Sequence, residues 1–95
     1  METVIREGKR IRSRHFDIRH LASPLGFPRV GVIVPRHGHS AVDRNKLKRR
    51  LREIVRVQLL STLPAVDLVI RSRPTAYDQP FTAIATELSD VRTGF

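Results

Sequence analysis

Side chains able to bind phosphate are concentrated between positions 44 and 52. Six of the 18 Lys and Arg residues of this 95-residue chain lie in those nine positions. Arginine holds phosphate oxygens in a bidentate fork, and lysine holds them as a point charge. The segment therefore predicts binding of a polyanion, in agreement with a net charge of +9 and a pI near 11.6.

The same segment has the spacing of an amphipathic helix. At about 100° per residue, an apolar stripe faces a core and a polar ridge faces away from it. The stripe comprises Leu47, Leu51, Ile54, Val55 and Gln58; the ridge comprises Asn45, Arg49, Arg52 and Arg56, with Lys46 and Lys48 at its margins. Most charged helix faces are simply solvated, but they usually mix signs. Because Glu53 is the only acid among seven bases from Arg44 to Arg56, we favour an anion-binding face.

Residues suited to catalysis or to metal binding are scattered. The chain has no cysteine, which excludes a disulfide framework, a thiolate zinc site and a cysteine nucleophile. The nine carboxylates form no close pair for acid–base work, and no glycine-rich phosphate loop is present. His37 and His39 flank Gly38, but without a third ligand nearby we expect them to lie near the phosphates of the polyanion rather than to bind a metal. The chain itself thus resembles a binding module with no catalytic residue and no bound metal.

The elements that position these residues alternate between helix and strand. We predict a helix at 1–7 ended by Gly8, one or two strands at 11–21, a strand at 29–34, the basic helix from Asp43 to about Leu60, a strand at 66–71 and a helix from Phe81 onward. Asp43 is a candidate N-cap. We expect the strand at 29–34 to be central, and Phe16 and Phe81 to lie in the core. This order predicts one domain, a two-layer sandwich with a strand–helix–strand crossover.

Two further features bear on location. The longest apolar run, Val30 to Val34, is too short to span a bilayer, and the first residues lack the apolar segment of a signal peptide. We therefore expect a cytoplasmic protein without a membrane partner.

The pattern Ala41-Val42-x-Arg44-Asn45-x-x-Lys48-Arg49-x-x-Arg52-Glu53 resembles the signature of the bacterial ribonuclease P protein subunit. The resemblance extends to the segments at 8–10, 29–34 and 67–71 and to the last helix. It implies an α+β two-layer sandwich, ribosomal protein S5 domain 2-like, whose small mixed sheet contains a left-handed strand–helix–strand crossover. That hand is opposite to the usual one.

The resemblance also implies partners and site residues. The chain would bind ribonuclease P RNA and the 5′ leader of precursor tRNA, as a monomer within the ribonucleoprotein, while Mg²⁺ ions held by the RNA subunit carry out the cleavage. The RNA-binding residues implied by family and charge are Arg36, His37, His39, Arg44, Asn45, Lys46, Lys48, Arg49, Arg52 and Arg56. The leader-binding candidates are Ile5, Arg14, Phe16 and Arg19.

Three departures from the family pattern and three alternatives stay open at this point. Lys46 stands where the family has a second arginine, the loop from Pro35 to Ser40 is atypical, and the first helix is shorter than usual. The main alternative is a ribosomal or other structural RNA-binding protein of similar fold. A DNA-binding helix and a stand-alone nuclease are more distant.

Overall fold

The computed structural model describes residues 2–91. It contains the helices α1 (Glu2–Glu7), α2 (Ala41–Ile54) and α3 (Phe81–Val91), and the strands β1 (Lys9–Arg12), β2 (Phe16–Ala22), β3 (Arg29–Ile33) and β4 (Val66–Ser72). A π-helical turn, Val55–Leu59, continues α2, and a short 3₁₀ helix, Pro74–Asp78, precedes α3. The predicted elements are all present. Met1, which the predicted first helix includes, lies outside the described residues.

The four strands form one mixed sheet in the order β1-β2-β4-β3. Antiparallel pairing joins β1 to β2 and β2 to β4, with Ile18 opposite Ile70. Parallel pairing joins β3 to β4, with Val32 opposite Ile70. Because parallel neighbours need a long connection, α2 serves as the crossover between them. The predicted α+β fold with a small mixed sheet is therefore confirmed.

The position of β3 differs from the prediction. This strand lies at the edge of the sheet, and all five of its residues are only partly buried. The inner strands are β2 and β4, and in β4 every residue from Val66 to Ile70 is buried. Apolar residues on both faces of a strand indicate partial cover on both sides, but they do not identify its neighbours in the sheet. The segment at 11–21 divides into two strands, because residues 13–15 form a loop.

The main core lies between one face of the sheet and the helices α2 and α3. Its largest fully buried side chains include Phe16, Ile18, Leu51, Ile54, Leu68, Ile70, Ile84 and Leu88. The core position predicted for Phe16 is confirmed. Phe81, in contrast, is 40% exposed, so its predicted burial is wrong.

Helix α1 lies against the opposite face of the sheet, over β2 and β4. Val4 is buried there, and the Gly8 amide donates to the Val4 carbonyl oxygen at 2.9 Å, which ends the helix where predicted. A Cβ atom at Gly8 would lie 2.4 Å from that oxygen and 2.9 Å from the His20 carbonyl oxygen. Glycine therefore lets the helix end approach β2 closely.

Candidate nucleic-acid interface

The basic helix begins at a well-defined cap. The Ser40 hydroxyl accepts a hydrogen bond from the Asp43 amide at 3.2 Å, so Ser40 is the N-cap. Asp43 lies in the first turn of the helix, where its negative charge interacts favourably with the helix dipole. The prediction that Asp43 is the N-cap is therefore wrong. Serine and aspartate both cap helices. The position at which the chain leaves the preceding loop decided that Ser40, and not Asp43, is the N-cap.

The loop before α2 is held against the 3₁₀ helix. The His39 ring stacks on the Tyr77 ring with centroids 3.8 Å apart, and the Tyr77 hydroxyl donates to the Pro35 carbonyl oxygen at 2.8 Å. Burial raises the pKa of Tyr77, which keeps this hydroxyl a donor. Within the loop, His37 and Gly38 have positive φ, and the His39 amide bonds to the Arg36 carbonyl. These contacts fix the direction in which the helix starts.

Arg44 and His39, both predicted to contact RNA, also have structural partners. Arg44 Nε donates to the Val34 carbonyl oxygen at 2.7 Å and so joins α2 to the end of β3. His39 Nδ1 lies 3.7 Å from Asp43 Oδ2, in addition to its stacking on Tyr77. In contrast, Arg36 and His37 are exposed at the tip of the loop.

The outer face of α2 carries most of the predicted RNA-binding residues together. Leu47, Leu51 and Ile54 are buried, which confirms the amphipathic stripe. Asn45 and the basic residues Lys46, Arg49, Arg52 and, in the π-helical turn, Arg56 are exposed, whereas Lys48 and Arg50 are partly buried. We call these seven residues the basic face. Arg50 was not among the predicted site residues, although it is one of the six basic residues counted between positions 44 and 52.

Acidic partners are scarce on this basic face. Arg56 pairs with Glu53 at 2.7 Å, and both side chains are exposed, so the pair contributes about 0.2–1 kcal/mol. Within residues 2–91, no acid pairs with Lys46, Lys48, Arg49, Arg50 or Arg52. The helix therefore presents a row of unneutralised cations on a rigid backbone.

The leader-binding candidates separate into three places. Ile5 and Arg19 line a cleft of about 180 Å³ between α1 and the open face of the sheet, together with Asp17, Ile33, Val69 and Arg71. Phe16 is fully buried on the other face of the sheet, which removes it from the residues that a leader can contact. Arg14 is exposed beside Thr82, Thr86 and Asp90 of α3.

Alternation along the strands explains this separation. Successive side chains point to opposite faces, so Phe16 and Arg19 cannot share a face. The same alternation brings Val69 and Arg71 of β4 into the cleft, two residues that the sequence analysis did not select. The alternation of residues in the strand at 66–71 already placed Val69 and Arg71 on one face. Only the order of strands in the sheet shows that this face lines the cleft.

Charges on the open face of the sheet are largely paired. Arg10 donates to both carboxylate oxygens of Asp17 at 2.7 Å, and this hydrogen bonding holds the pKa of Asp17 below its usual value. Arg29 donates to both oxygens of Asp67 and lowers the pKa of that carboxyl in the same way. Arg10 and Arg29 are thus neutralised by acids, and the basic side chains that line the cleft are those of Arg19 and Arg71.

Residues 2–91 contain no group of three or more His, Asp or Glu side chains arranged to hold a metal ion. No helix among them is long and apolar enough to cross a membrane.

Comparison with known proteins assigns the family. A family model described as Ribonuclease P matches residues 1–94. The ribonuclease P protein component of Syntrophobacter fumaroxidans is 38% identical over 77 residues, 79% of this chain and 64% of that protein. The component from Bartonella quintana is 47% identical over 70 residues, 73% of this chain and 52% of that protein. The matched stretches thus span about half to two thirds of these relatives.

Solved structures show the same fold. The RNase P protein of Thermotoga maritima superimposes with a TM-score of 0.87 at 26% identity, covering 99% of this chain and 92% of that one. The RNase P protein of Staphylococcus aureus gives a TM-score of 0.84 at 27% identity, covering 95% and 83%. These matches give no support to the ribosomal alternative. With its fold, its basic crossover helix and its family model in agreement, the chain belongs to the ribonuclease P protein family.

Proposed function

We propose that this chain is the protein subunit of a bacterial ribonuclease P and binds the ribonuclease P RNA through the basic face. The observation that carries this proposal is the row of unpaired cations on a helix whose other side is buried. Because the other side of the helix is buried, these cations stay together on one face, and a bound anion relieves their mutual repulsion. A strand of phosphates supplies anions at a repeat that a rigid row of arginines can follow.

The cleft between α1 and the sheet suits the 5′ leader of precursor tRNA. Arg19 and Arg71 offer charge for phosphates, while the exposed Ile5 and the partly buried Ile33 offer apolar surface for bases. Because Arg10 neutralises Asp17, the acid in this cleft does not repel the strand. We therefore retain Ile5 and Arg19 as leader-binding residues and add Arg71.

The chemistry of cleavage belongs, in this proposal, to the RNA subunit. Mg²⁺ ions bound there would activate water and stabilise the leaving oxygen in hydrolysis of the phosphodiester. The protein contributes by positioning the leader and by neutralising phosphates. It acts as a monomer within the ribonucleoprotein, in the cytoplasm where precursor tRNA is processed.

Reconstitution with the ribonuclease P RNA of the same organism tests this function. We expect the purified protein alone to leave precursor tRNA intact, and the protein with the RNA to cleave the 5′ leader faster than the RNA alone at low Mg²⁺. Cleavage by the protein that persists through nuclease treatment and repurification would contradict the division of labour. Binding to ribosomal RNA without stimulation of cleavage would favour the ribosomal alternative.

A further inference from the structure

Phe81 is an aromatic residue exposed at the first position of α3. The other apolar residues on its side of the helix, Ile84, Leu88 and Val91, are buried. Phe81 is 40% exposed, because the helix begins there, directly after Pro80, at the margin of the packed layer. An exposed phenyl ring leaves apolar surface in water, which a ligand can cover.

The surroundings of this ring are basic. Phe81 lines an open groove of about 470 Å³ together with Lys46, Arg49, Arg50 and Glu53. The three basic side chains have no acidic partner among residues 2–91, whereas Glu53 pairs with Arg56. Lys46 and Arg50 lie one helical turn apart and so form a ridge beside the ring.

The opposite flank of this ridge differs in charge. There, Lys46 and Arg50 line a cleft with Asp43, Tyr77 and Asp78. The Tyr77 ring is already stacked on His39, and the two carboxylates repel phosphate. A nucleotide that places its phosphate on the ridge therefore finds a free aromatic surface only on the side of Phe81.

We propose that Phe81 is a base-stacking residue for an unpaired nucleotide of the bound RNA, whose phosphate lies on Lys46, Arg49 and Arg50. This inference rests on the proposed function and adds to it a stacking contact that requires an unpaired base as well as a phosphate. Aromatic rings beside basic side chains are a recurring arrangement for single-stranded nucleic acid, because every base offers a flat apolar face. The basic face then holds both the backbone and one base.

A salt titration separates stacking from phosphate binding. We expect Phe81→Leu, which keeps an apolar side chain, to weaken binding of ribonuclease P RNA about fivefold or more at every salt concentration. The slope of log K against log salt should stay at the wild-type value, since no counterion is released by stacking. Phe81→Trp should retain full affinity, and Arg49→Ala should flatten the slope. Wild-type affinity in Phe81→Leu would overturn the stacking role and leave Phe81 as a surface for a protein partner.

A fluorescence measurement detects the stacked base directly. The chain has no tryptophan, so Phe81→Trp introduces a single indole. We expect an eight-nucleotide oligoadenylate to quench its emission, and an abasic oligomer of equal length to bind without quenching. The matched control is Phe27→Trp, because Phe27 is 52% exposed in the turn between β2 and β3 and does not line the groove. Equal quenching by both oligomers, or at both positions, would overturn the proposal.

These outcomes are distinct from failure of the proposed function. A wild-type protein that binds no ribonuclease P RNA would overturn that function. A wild-type protein that binds and stimulates cleavage, together with a Phe81→Leu variant of equal affinity, would overturn only the base-stacking role. Melting temperatures of the variants identify any loss of affinity that comes from unfolding.

Discussion

Two surfaces of this protein, the open face of the sheet and the basic face of α2, differ in whether their arginines have acidic partners. On the open face of the sheet, Arg10 is held by Asp17 and Arg29 is held by Asp67, each through two hydrogen bonds. On the basic face of α2, Arg49 and Arg52 have no acidic partner among the described residues. The paired arginines join neighbouring strands, whereas the unpaired arginines of α2 keep their guanidinium groups available to an anion.

The origin of this difference lies in the arrangement of acids. Strand pairing places Arg29 directly opposite Asp67. It also pairs Asp17 with Arg12, and Arg10 lies two residues from Arg12 on the same face of β1. Helix neighbours come from three or four residues away along the chain, and beyond the first turn, where Asp43 lies, the sequence of α2 supplies a single acid, Glu53. The sheet can thus neutralise its arginines with residues distant in sequence, but the outer face of α2 cannot.

The largest effect we expect separates the two sides of α2 itself. Leu51 is fully buried, so Leu51→Ala should lower the free energy of unfolding by about 2–5 kcal/mol. Arg49→Ala should change it by no more than about 0.5 kcal/mol, because the side chain is exposed and has no ion-pair partner among the described residues. Urea denaturation measures both. Similar losses in the two variants would mean that Arg49 belongs to the structural group of arginines.

A second expected effect is stabilisation by anions. Sulfate bound at the basic face of the native protein should raise the free energy of unfolding by about 2.7 kcal/mol at a hundredfold excess over its dissociation constant. The double variant Arg49→Ala/Arg52→Ala should lose most of this gain, and Arg10→Ala should keep it. Melting temperatures in sulfate and chloride at matched ionic strength measure the difference. An acidic control protein corrects for the general effect of sulfate, and a gain no larger than in that control would contradict specific sites.

The third expectation concerns the salt dependence of RNA binding. If about five phosphates are neutralised, log K should fall with log salt at a slope of roughly −3.5 to −4.5. Arg49→Ala and Arg52→Ala should each flatten this slope by nearly one unit. Arg29→Ala is the matched control, since its guanidinium is already paired and should leave the slope alone. An equal change in all three variants would remove the distinction between the two surfaces.

The smallest effect should appear as a pH dependence of stability. Arg29 lowers the pKa of Asp67 in the folded protein, so the pair stabilises the fold above the unfolded-state pKa of about 3.9. That contribution is lost as the pH falls below this value and through the folded-state pKa. Asp67→Asn should therefore reduce the loss of stability on acidification below about pH 4. Asp17→Asn should do so less, because the Asp17 side chain is more exposed, at 22% against 5%.

Local patterns in the sequence were sufficient for the elements and for the face of the basic helix. The spacing of Leu47, Leu51 and Ile54 predicted a buried stripe, and the structure confirms it. Gly8 predicted the end of α1 in the same way. The choice of cap was wrong because Ser40 and Asp43 are both capping types. Their roles depend on the loop conformation, which Tyr77 holds from a distant part of the chain.

What the sequence determined by itself is the chemical character of α2: its period, its excess of cations and its family signature. These are local properties, because the backbone geometry of a helix relates residues three and four apart without reference to the rest of the chain. Tertiary structure alone decided which arginines are neutralised and that Phe81 is exposed. Arg29 meets an acid 38 residues away, and Phe81 lies beside Lys46 from a different helix. A period assigns a side chain to a face, but the order of strands and the packing of helices decide what that face meets.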